Sequence, residues 1–297
     1  MRTLALACLF LLLSAVALHA QVDSLLVDPA ATDARISRVW GNHVAYIDKR
    51  AKPLNKLLLM IVGTGTAANH NIPFFNFAAA SGYHVISIDY KNTVITTACS
   101  NSEDSSCFDA FRQEIVFGAP VSPLVDVDSA NSIYHRVYAL LLYLGKKYPQ
   151  QGWQQYLTGG KIQWEKMIVA GHSQGAGHAA CLAKKFPVYR VLIFAGPQDF
   201  LVKYNAPAGW LSAPGNTPAQ RYYAFLHLQD PYDFNRQRAD CLPLMPKGTD
   251  SSLVQPNSPV TGKPRMLVTN IASSNPHEAM MQPAFSPAWA YLLSTML

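Results

Sequence analysis

The segment 167–180 reads MIVAGHSQGAGHAA, an apolar run that ends at a serine between two glycines. Its centre, residues 171–175, fits the G-x-S-x-G pattern of a serine nucleophile. That chemistry needs a hydroxyl exposed on a sharp turn from a strand to a helix, with the serine backbone strained. Glycines on either side remove side chains that would collide in the turn. We therefore predict that Ser173 is a nucleophile and not merely a turn residue.

The elements around this motif follow a regular alternation. Strands are predicted from apolar runs at 57–62, 84–89, 167–170, 190–195, 222–228 and 265–269, and helices around 74–80, 131–148 and after Ser173. Alternating strands and helices are typical of an α/β protein, in which helices cover both faces of a mostly parallel sheet. We expect one such domain over residues 21–297.

With this order of elements and the serine motif, the chain resembles the α/β-hydrolase family over most of its length. The resemblance implies the α/β-hydrolase fold and a catalytic triad in the chain order serine, then Asp or Glu, then histidine. Only His227 and His277, among nine histidines, lie well beyond Ser173 and its helix. His227 falls inside a predicted strand, whereas His277 follows the last strand in a loop, where the family's base is expected.

Three aspartates are candidates for the acid of the implied triad. Asp230 lies just past the strand 222–228, where the family usually carries its carboxylate, and is the first choice. Asp199 follows the preceding strand, a site that some lipases of this fold use, and Asp233 shares the loop of Asp230. A carboxylate is needed because it orients the imidazole and stabilises the imidazolium that forms.

The resemblance also implies two hydrogen-bond donors for an oxyanion. One is the backbone N–H of Gln174, the residue after the nucleophile. The other is expected in residues 63–66, GTGT, which look like the glycine-containing oxyanion loop of lipases and esterases, with Thr64 as the donor. The chain departs from the lipase pattern at Val62, where a histidine often precedes the glycine. A phosphate-binding loop is disfavoured because no Lys-Ser or Lys-Thr follows.

Other chemistry has weak support in the sequence. His277-Glu278 begins like a zinc-protease motif, but HEAMM lacks the second histidine four residues on. No cluster of histidine, cysteine and carboxylate residues has metal-ligand spacing, so neither a metal nor another cofactor is expected. The net charge of +6 is mild and unclustered, which disfavours a nucleic-acid partner.

The first twenty residues combine Arg2 with a leucine- and alanine-rich stretch that ends in small residues. This composition predicts a secretory signal peptide cleaved after Ala20, with a retained membrane anchor as the alternative. A secreted or periplasmic protein is therefore expected, with no stable membrane insertion after cleavage. Oxidised cysteines are allowed in such a compartment.

Four cysteines follow the expected leader. Cys99 and Cys107 bracket the polar segment SNSEDSS, where a disulfide would close a short ring. Cys181 is expected as a free thiol on a buried helix, and Cys241 pairs with either partner or stays free. Residues 91–130 show little periodicity and are expected as a long loop insertion, either part of a rim or lid or a plain surface excursion.

These features together predict an exported serine hydrolase that cleaves carboxylic esters through an acyl-enzyme, with a small-molecule, lipid or polymer ester as substrate. A peptidase, thioesterase or acyltransferase on the same fold is the enzymatic alternative. A binding protein that kept the fold and lost activity is the alternative from another class. The oligomeric state and the natural ester are left open by the sequence.

Overall fold

A computed structural model of the chain describes residues 22–294, so the leader expected over residues 1–20 lies outside the described part. The strands are β1 Asp23–Val27, β2 His43–Ile47, β3 Leu57–Ile61, β4 His84–Ser87, β5 Leu157–Thr158, β6 Lys161–Ile162, β7 Met167–His172, β8 Arg190–Phe194, β9 Phe200–Leu201, β10 Ala206–Pro207, β11 Tyr222–His227, β12 Ser251–Leu253 and β13 Met266–Thr269. The helices are α1 Pro29–Thr32, α2 Ile72–Ala80, α3 Cys107–Phe117, α4 Ile133–Lys147, α5 Gln174–Lys185, α6 Phe234–Cys241 and α7 Ser286–Leu293.

Nine of these strands form one central sheet in the order β1-β2-β4-β3-β7-β8-β11-β13-β12. From β4 to β12 all neighbours are parallel, and β2 pairs antiparallel with both β1 and β4. The remaining strands form two short antiparallel pairs, β5 with β6 and β9 with β10. The prediction of an α/β protein with a mostly parallel sheet is confirmed.

The two faces of the sheet are packed by different helices, as the period-two side-chain alternation of strands requires. In β3, Leu57, Leu59 and Ile61 join one buried cluster, and Leu58 and Met60 join the other. The first cluster includes side chains of α3, α4 and α5, and the second includes side chains of α2 and α7. Because both faces are covered, the central strands read as continuous apolar runs.

Helix boundaries follow from local capping chemistry. The Ser132 hydroxyl accepts a hydrogen bond from the His135 N–H at 3.2 Å and so caps the start of α4, while Lys146 and Lys147 lie in its last turn. Helix α3 ends at Gly118, whose φ of 74° favours glycine. A Cβ at Gly118 would lie only 2.4 Å from Ser129 Cα, so this position also has no room for a side chain.

The loop predicted over residues 91–130 is wrong in its middle, because it contains the eleven-residue helix α3. Phe108, Phe111 and Ile115 of α3 are buried, and the helix packs against α4 and α5. The segment is therefore part of the protein interior and not only a rim or a surface excursion. Within residues 22–294, no helix combines the length and apolar character needed to cross a membrane.

The predicted disulfide is present between Cys99 and Cys107, whose Cα atoms are 5.6 Å apart. It joins the 3₁₀ turn Thr96–Cys99 to the first residue of α3, and so fixes the start of this helix. Cys181 is a buried free thiol on α5, as predicted, and Cys241 is also buried and free. Burial raises the pKa of the Cys181 thiol to about 12, which keeps it protonated and unreactive.

Candidate active site

Ser173 lies at the turn from β7 to α5, at the carboxyl-terminal edge of the parallel strands. Its backbone has φ 57° and ψ −126°, a conformation that is strained for a residue with a side chain. The Ser173 N–H is held by the carbonyl of Phe194 at the end of β8, at 2.9 Å. The strained turn that the nucleophile pattern requires is therefore present.

The glycines of the motif are needed because backbone passes where their side chains would be. A Cβ at Gly171 would lie 2.1 Å from Gly175 O, and a Cβ at Gly175 would lie 2.0 Å from Ile61 O. A Cβ at Gly196, beyond the motif, would lie 2.8 Å from Ser173 O. Because backbone atoms cannot yield as flexible side chains do, these three positions exclude larger residues.

Asp230 and His277 meet at the same edge of the sheet. Asp230 follows β11, and His277 lies in the 3₁₀ turn Pro276–Met281 after β13. Asp230 Oδ2 and His277 Nδ1 are 2.7 Å apart, within hydrogen-bonding distance. Burial acts to raise the pKa of Asp230, but the hydrogen bond and charge of His277 and the Tyr232 N–H hold that pKa below its usual value. The carboxylate is thus ionised and faces one imidazole nitrogen.

The Ser173 hydroxyl contacts an amide that the sequence analysis did not identify. Gln198 Nε2 donates to Ser173 Oγ at 3.3 Å, and in the described part of the chain Oγ forms no hydrogen bond with His277. Gln198 lies in the loop after β8 and is almost fully buried. A hydrogen bond between Ser173 Oγ and His277 therefore requires the hydroxyl to turn away from Gln198, and in known serine–histidine pairs the two groups are often separated before substrate binds.

The turn that carries His277 is anchored by a second histidine. His172 Nε2 lies 2.8 Å from His277 O, and the rings of the two histidines are 4.9 Å apart. Burial lowers the pKa of His172 to about 4, so its neutral ring donates the Nε2–H to this carbonyl. The residue at motif position 172 therefore holds the turn of His277 beside Ser173, a contact that spacing alone does not reveal.

Residues 63–66 approach Ser173 closely, as expected for an oxyanion loop. A Cβ at Gly63 would lie 3.0 Å from Ser173 Cβ. The Thr64 hydroxyl donates to Gln174 Oε1 at 2.7 Å, which ties the loop to the start of α5. As the first residue of α5, Gln174 has no intrahelical acceptor for its backbone N–H. The backbone N–H of Thr64 also has no acceptor among the described residues. Both predicted donors are thus unoccupied by protein acceptors.

Asn92 holds residues 63–66 in shape, and the sequence analysis missed it. Its Nδ2 donates to Gly63 O at 2.7 Å and to Thr66 O at 2.9 Å, and its carbonyl accepts from Gly65 N at 3.0 Å. Trp40 Nε1 hydrogen-bonds the side-chain oxygen of Asn92 from the other side. No local sequence signal marks Asn92, because its partners lie 26 or more residues away.

The other two candidate acids are engaged elsewhere. Asp199 forms a buried ion pair with Arg112, with Oδ1 2.5 Å from Nη2 and Oδ2 3.1 Å from Nε, and also accepts from Trp210 Nε1 at 2.9 Å. Asp233 caps the start of α6 by accepting from the N–H groups of Asn235 and Arg236. Of the three carboxylates, Asp230 is therefore the one that contacts His277.

A cavity of about 540 Å³ opens beside these residues and includes Gln198 and Tyr232 in its wall. Gln198 contacts the Ser173 hydroxyl and the Tyr232 ring lies 4.7 Å from the His277 ring, so two wall residues connect the cavity to the serine and the histidine. A larger cavity of about 640 Å³ lies around Gly82 and His84, where β4 begins. That cavity is at the opposite edge of the sheet from Ser173, so the smaller cavity is the one of these two whose wall contacts Ser173 and His277.

The described residues contain no group of three or more histidine, cysteine or carboxylate side chains arranged to hold a metal ion. Comparison with known proteins finds no family model and no curated protein that matches this chain.

The arrangement itself is suited to acyl transfer. It combines a strained serine, an ionised carboxylate on a nearby imidazole and two available N–H groups.

Proposed function

We propose that the chain has the α/β-hydrolase fold and is a serine hydrolase that cleaves carboxylic esters. The observation that carries the proposal is the 2.7 Å contact between Asp230 and His277 at the sheet edge where Ser173 occupies its strained turn. A serine turn between a strand and a helix, with a glycine loop after an earlier strand, supports the same assignment.

In the proposed reaction, Ser173 Oγ attacks the ester carbonyl and forms the new C–O bond, while its proton passes to His277 Nε2. Asp230 holds the Nδ1–H of His277, so Nε2 is left free to take the serine proton and the imidazolium is stabilised once formed. The same proton then moves to the alcohol oxygen as the ester C–O bond breaks. An acyl-enzyme remains on Ser173.

Water completes the cycle by the reverse proton path. His277 takes a proton from water, the hydroxide attacks the acyl carbon, and the Ser173–acyl bond breaks as the proton returns to Oγ. During both halves the carbonyl oxygen becomes an oxyanion, which the N–H groups of Thr64 and Gln174 stabilise. Removing one such donor typically costs about 10²–10³ in turnover.

The proposed compartment is outside the cytoplasm. The leader composition over residues 1–20 supports export, and the Cys99–Cys107 disulfide is compatible with an oxidising environment. The proposed ligand is an ester substrate. We propose neither a nucleic-acid partner nor stable insertion into a membrane.

The proposal is tested by labelling with a fluorophosphonate, which forms a covalent bond with an activated serine. Wild-type protein is expected to react at one site, and Ser173→Ala is expected to lose both labelling and ester hydrolysis, by about 10⁵-fold or more. Ser212→Ala is the matched control, because Ser212 is an exposed serine outside the site. Equal labelling of wild type and Ser173→Ala would refute the hydrolase assignment.

Peptidase, thioesterase and acyltransferase activities use the same serine chemistry, so labelling does not separate them. Initial rates on a p-nitrophenyl ester, a peptide p-nitroanilide and an acyl-thioester make that separation. The ester is expected to have the largest kcat/KM. A larger value for the peptide or the thioester would change the reaction class while leaving Ser173 as nucleophile. Labelling without turnover of any acyl donor would favour a binding protein.

A further inference from the structure

The cavity beside Ser173 has a wall that is mainly polar. Eight of its eleven lining residues carry polar side chains, and only Phe200, Val202 and Pro231 do not. Its volume of about 540 Å³ lies within the range of roughly 300–1,000 Å³ of small-molecule sites. Most such sites are predominantly apolar, so a wall of this kind indicates a ligand with many hydrogen-bonding groups of its own.

The polar groups in the wall include both donors and acceptors. Hydroxyl and amide side chains such as Thr97, Asn101 and Gln198 each supply both. An alkyl chain in this space would displace the water that these groups bind without offering new hydrogen bonds. Each group left unpaired in this way costs free energy. A ligand hydroxyl satisfies either kind of group, because it donates one hydrogen bond and accepts others.

The charges in the wall compensate each other. Arg236 Nε and Asp233 Oδ2 form an ion pair at 3.2 Å, and the Arg236 guanidinium lies over the Phe200 ring, 5.6 Å from its centroid. Among the residues that line the cavity, only Asp233 and Arg236 carry a formal charge, and their charges are opposite. Because the wall has no net charge, it favours a neutral ligand over an anionic or cationic one.

Gln198 connects the cavity to the reacting atom. Its Nε2 donates to Ser173 Oγ at 3.3 Å, while the residue also lines the cavity. When Ser173 turns towards His277, the amide of Gln198 is released to bind a group of the substrate. A hydroxyl placed there accepts from Nε2 or donates to Oε1. The Gln198 amide therefore favours binding of a substrate with a hydroxyl next to the scissile ester.

We propose that this cavity binds a neutral, hydroxyl-rich part of the ester, such as a sugar or another polyol, with Gln198 and Arg236 as specificity-determining residues. The inference rests on the proposed hydrolase function, since it names the substrate class of that site. Esters of polyhydroxylated alcohols are the substrates, and esters of apolar alcohols are hydrolysed poorly.

The test compares two primary acetates of similar size, methyl 6-O-acetyl-glucopyranoside and cyclohexylmethyl acetate. They share the acyl group and the six-membered ring and differ in the ring hydroxyls. We expect kcat/KM of the wild-type protein to be at least tenfold higher for the sugar acetate, because a site built to bind hydroxyls discriminates against the analogue that lacks them. A preference for cyclohexylmethyl acetate, or hydrolysis of neither acetate, would overturn the inference.

Variants then locate the preference in the cavity. Arg236→Leu and Gln198→Leu are expected to lower the ratio of the two kcat/KM values by about tenfold or more. Arg238→Leu, a change on the same helix α6 outside the cavity wall, is the matched control and leaves the ratio unchanged. Asn101→Leu, at an exposed loop position in the wall, is a second cavity variant with little effect on folding and is expected to lower the ratio.

Fluorophosphonate labelling of the same preparations separates the two levels of the proposal. A ratio that no cavity variant alters would overturn the inference while Ser173 still reacts with the probe. Loss of the proposed function itself would appear as a wild-type Ser173 that the probe does not label.

Discussion

Asp199 and Asp230 follow the adjacent strands β8 and β11, yet the structure pairs them with different kinds of basic side chain. Asp230 contacts His277, whose imidazole can gain and lose a proton, whereas Asp199 contacts the buried guanidinium of Arg112. An arginine keeps its proton in proteins, so a carboxylate bound to it has no proton to help move. The partner, and not the place after a strand, decides which aspartate can serve the chemistry.

The two sites also differ in what else they hold. Arg112 Nη1 donates to the backbone oxygen of Gln174 at 2.8 Å and lies 3.2 Å from His178 Nδ1, so the Asp199 pair supports the start of α5 from beneath. Asp240 Oδ2 accepts from the Asp199 N–H at 2.7 Å and adds a second buried carboxyl. Both aspartate side chains are buried, but His277, the partner of Asp230, keeps 12% of its side chain exposed, whereas Arg112, the partner of Asp199, is fully enclosed.

The largest expected effect is on activity at the Asp230 site. Asp230→Asn removes the charge that orients His277 and stabilises the imidazolium, so kcat is expected to fall by about 10⁴. Ester hydrolysis and thermal unfolding of the same protein provide the measurement. Asp250→Asn, in the turn before β12, is the control with unchanged kcat. A loss of less than tenfold would remove Asp230 from the triad.

The next effect is on stability at the Asp199 site. Asp199→Asn leaves the Arg112 charge buried without its partner, and breaking such a pair costs about 3–5 kcal/mol in the free energy of unfolding. Denaturant unfolding measures this loss, and kcat per folded molecule is expected to stay within about tenfold. Were Asp199→Asn instead to abolish turnover at unchanged stability, the roles of the two aspartates would be reversed.

The smallest effect is a change in pH dependence at Asp240. Burial, and the nearby charge of Asp199, raise the pKa of Asp240 well above its usual value of 3.8. The folded protein therefore keeps a proton that the unfolded chain releases above pH 3.8, so this group lowers stability as the pH rises from about 4 towards its folded pKa. The slope reaches at most about 1.4 kcal/mol per pH unit.

Asp240→Asn mimics the protonated carboxyl and is expected to remove this slope. Its unfolding free energy should therefore exceed that of the wild type at pH 7 and match it near pH 4, as measured by denaturant unfolding across that range. Asp109→Asn, on helix α3, is the control. An unchanged pH slope in Asp240→Asn would mean that Asp240 is ionised in the folded protein.

The prediction of the central strands succeeded because their signal is local. The runs that became β3, β4, β7, β8, β11 and β13 are continuous and apolar, since strands buried on both faces need no polar side. Strands β1, β2 and β12 were not predicted. The exposed side chains in β1 and β12 explain two of these misses, because strands at the edges of the sheet carry a weaker apolar signal, whereas β2 is an inner, buried strand.

Helix α3 was missed although its sequence contains a helical signal. Phe108, Phe111, Ile115 and Val116 recur at the spacing of one helix face. The polar segment before it and the extended segment after it hid the signal in a long stretch without periodicity. A shorter window would have found the helix, but its position against α5 and the role of Arg112 depend on packing.

The serine turn could be predicted from five residues, because glycines, serine and the flanking apolar run all act within one strand-to-helix connection. The partners of that serine could not be decided so locally. Asp230 and His277 are 47 positions apart, Arg112 and Asp199 are 87 apart, and Asn92 reaches a loop 29 positions earlier. Chain folding alone brings such groups within hydrogen-bonding distance, so which aspartate contacts His277, and the contacts of His172, Asn92 and Gln198, were decided by tertiary structure.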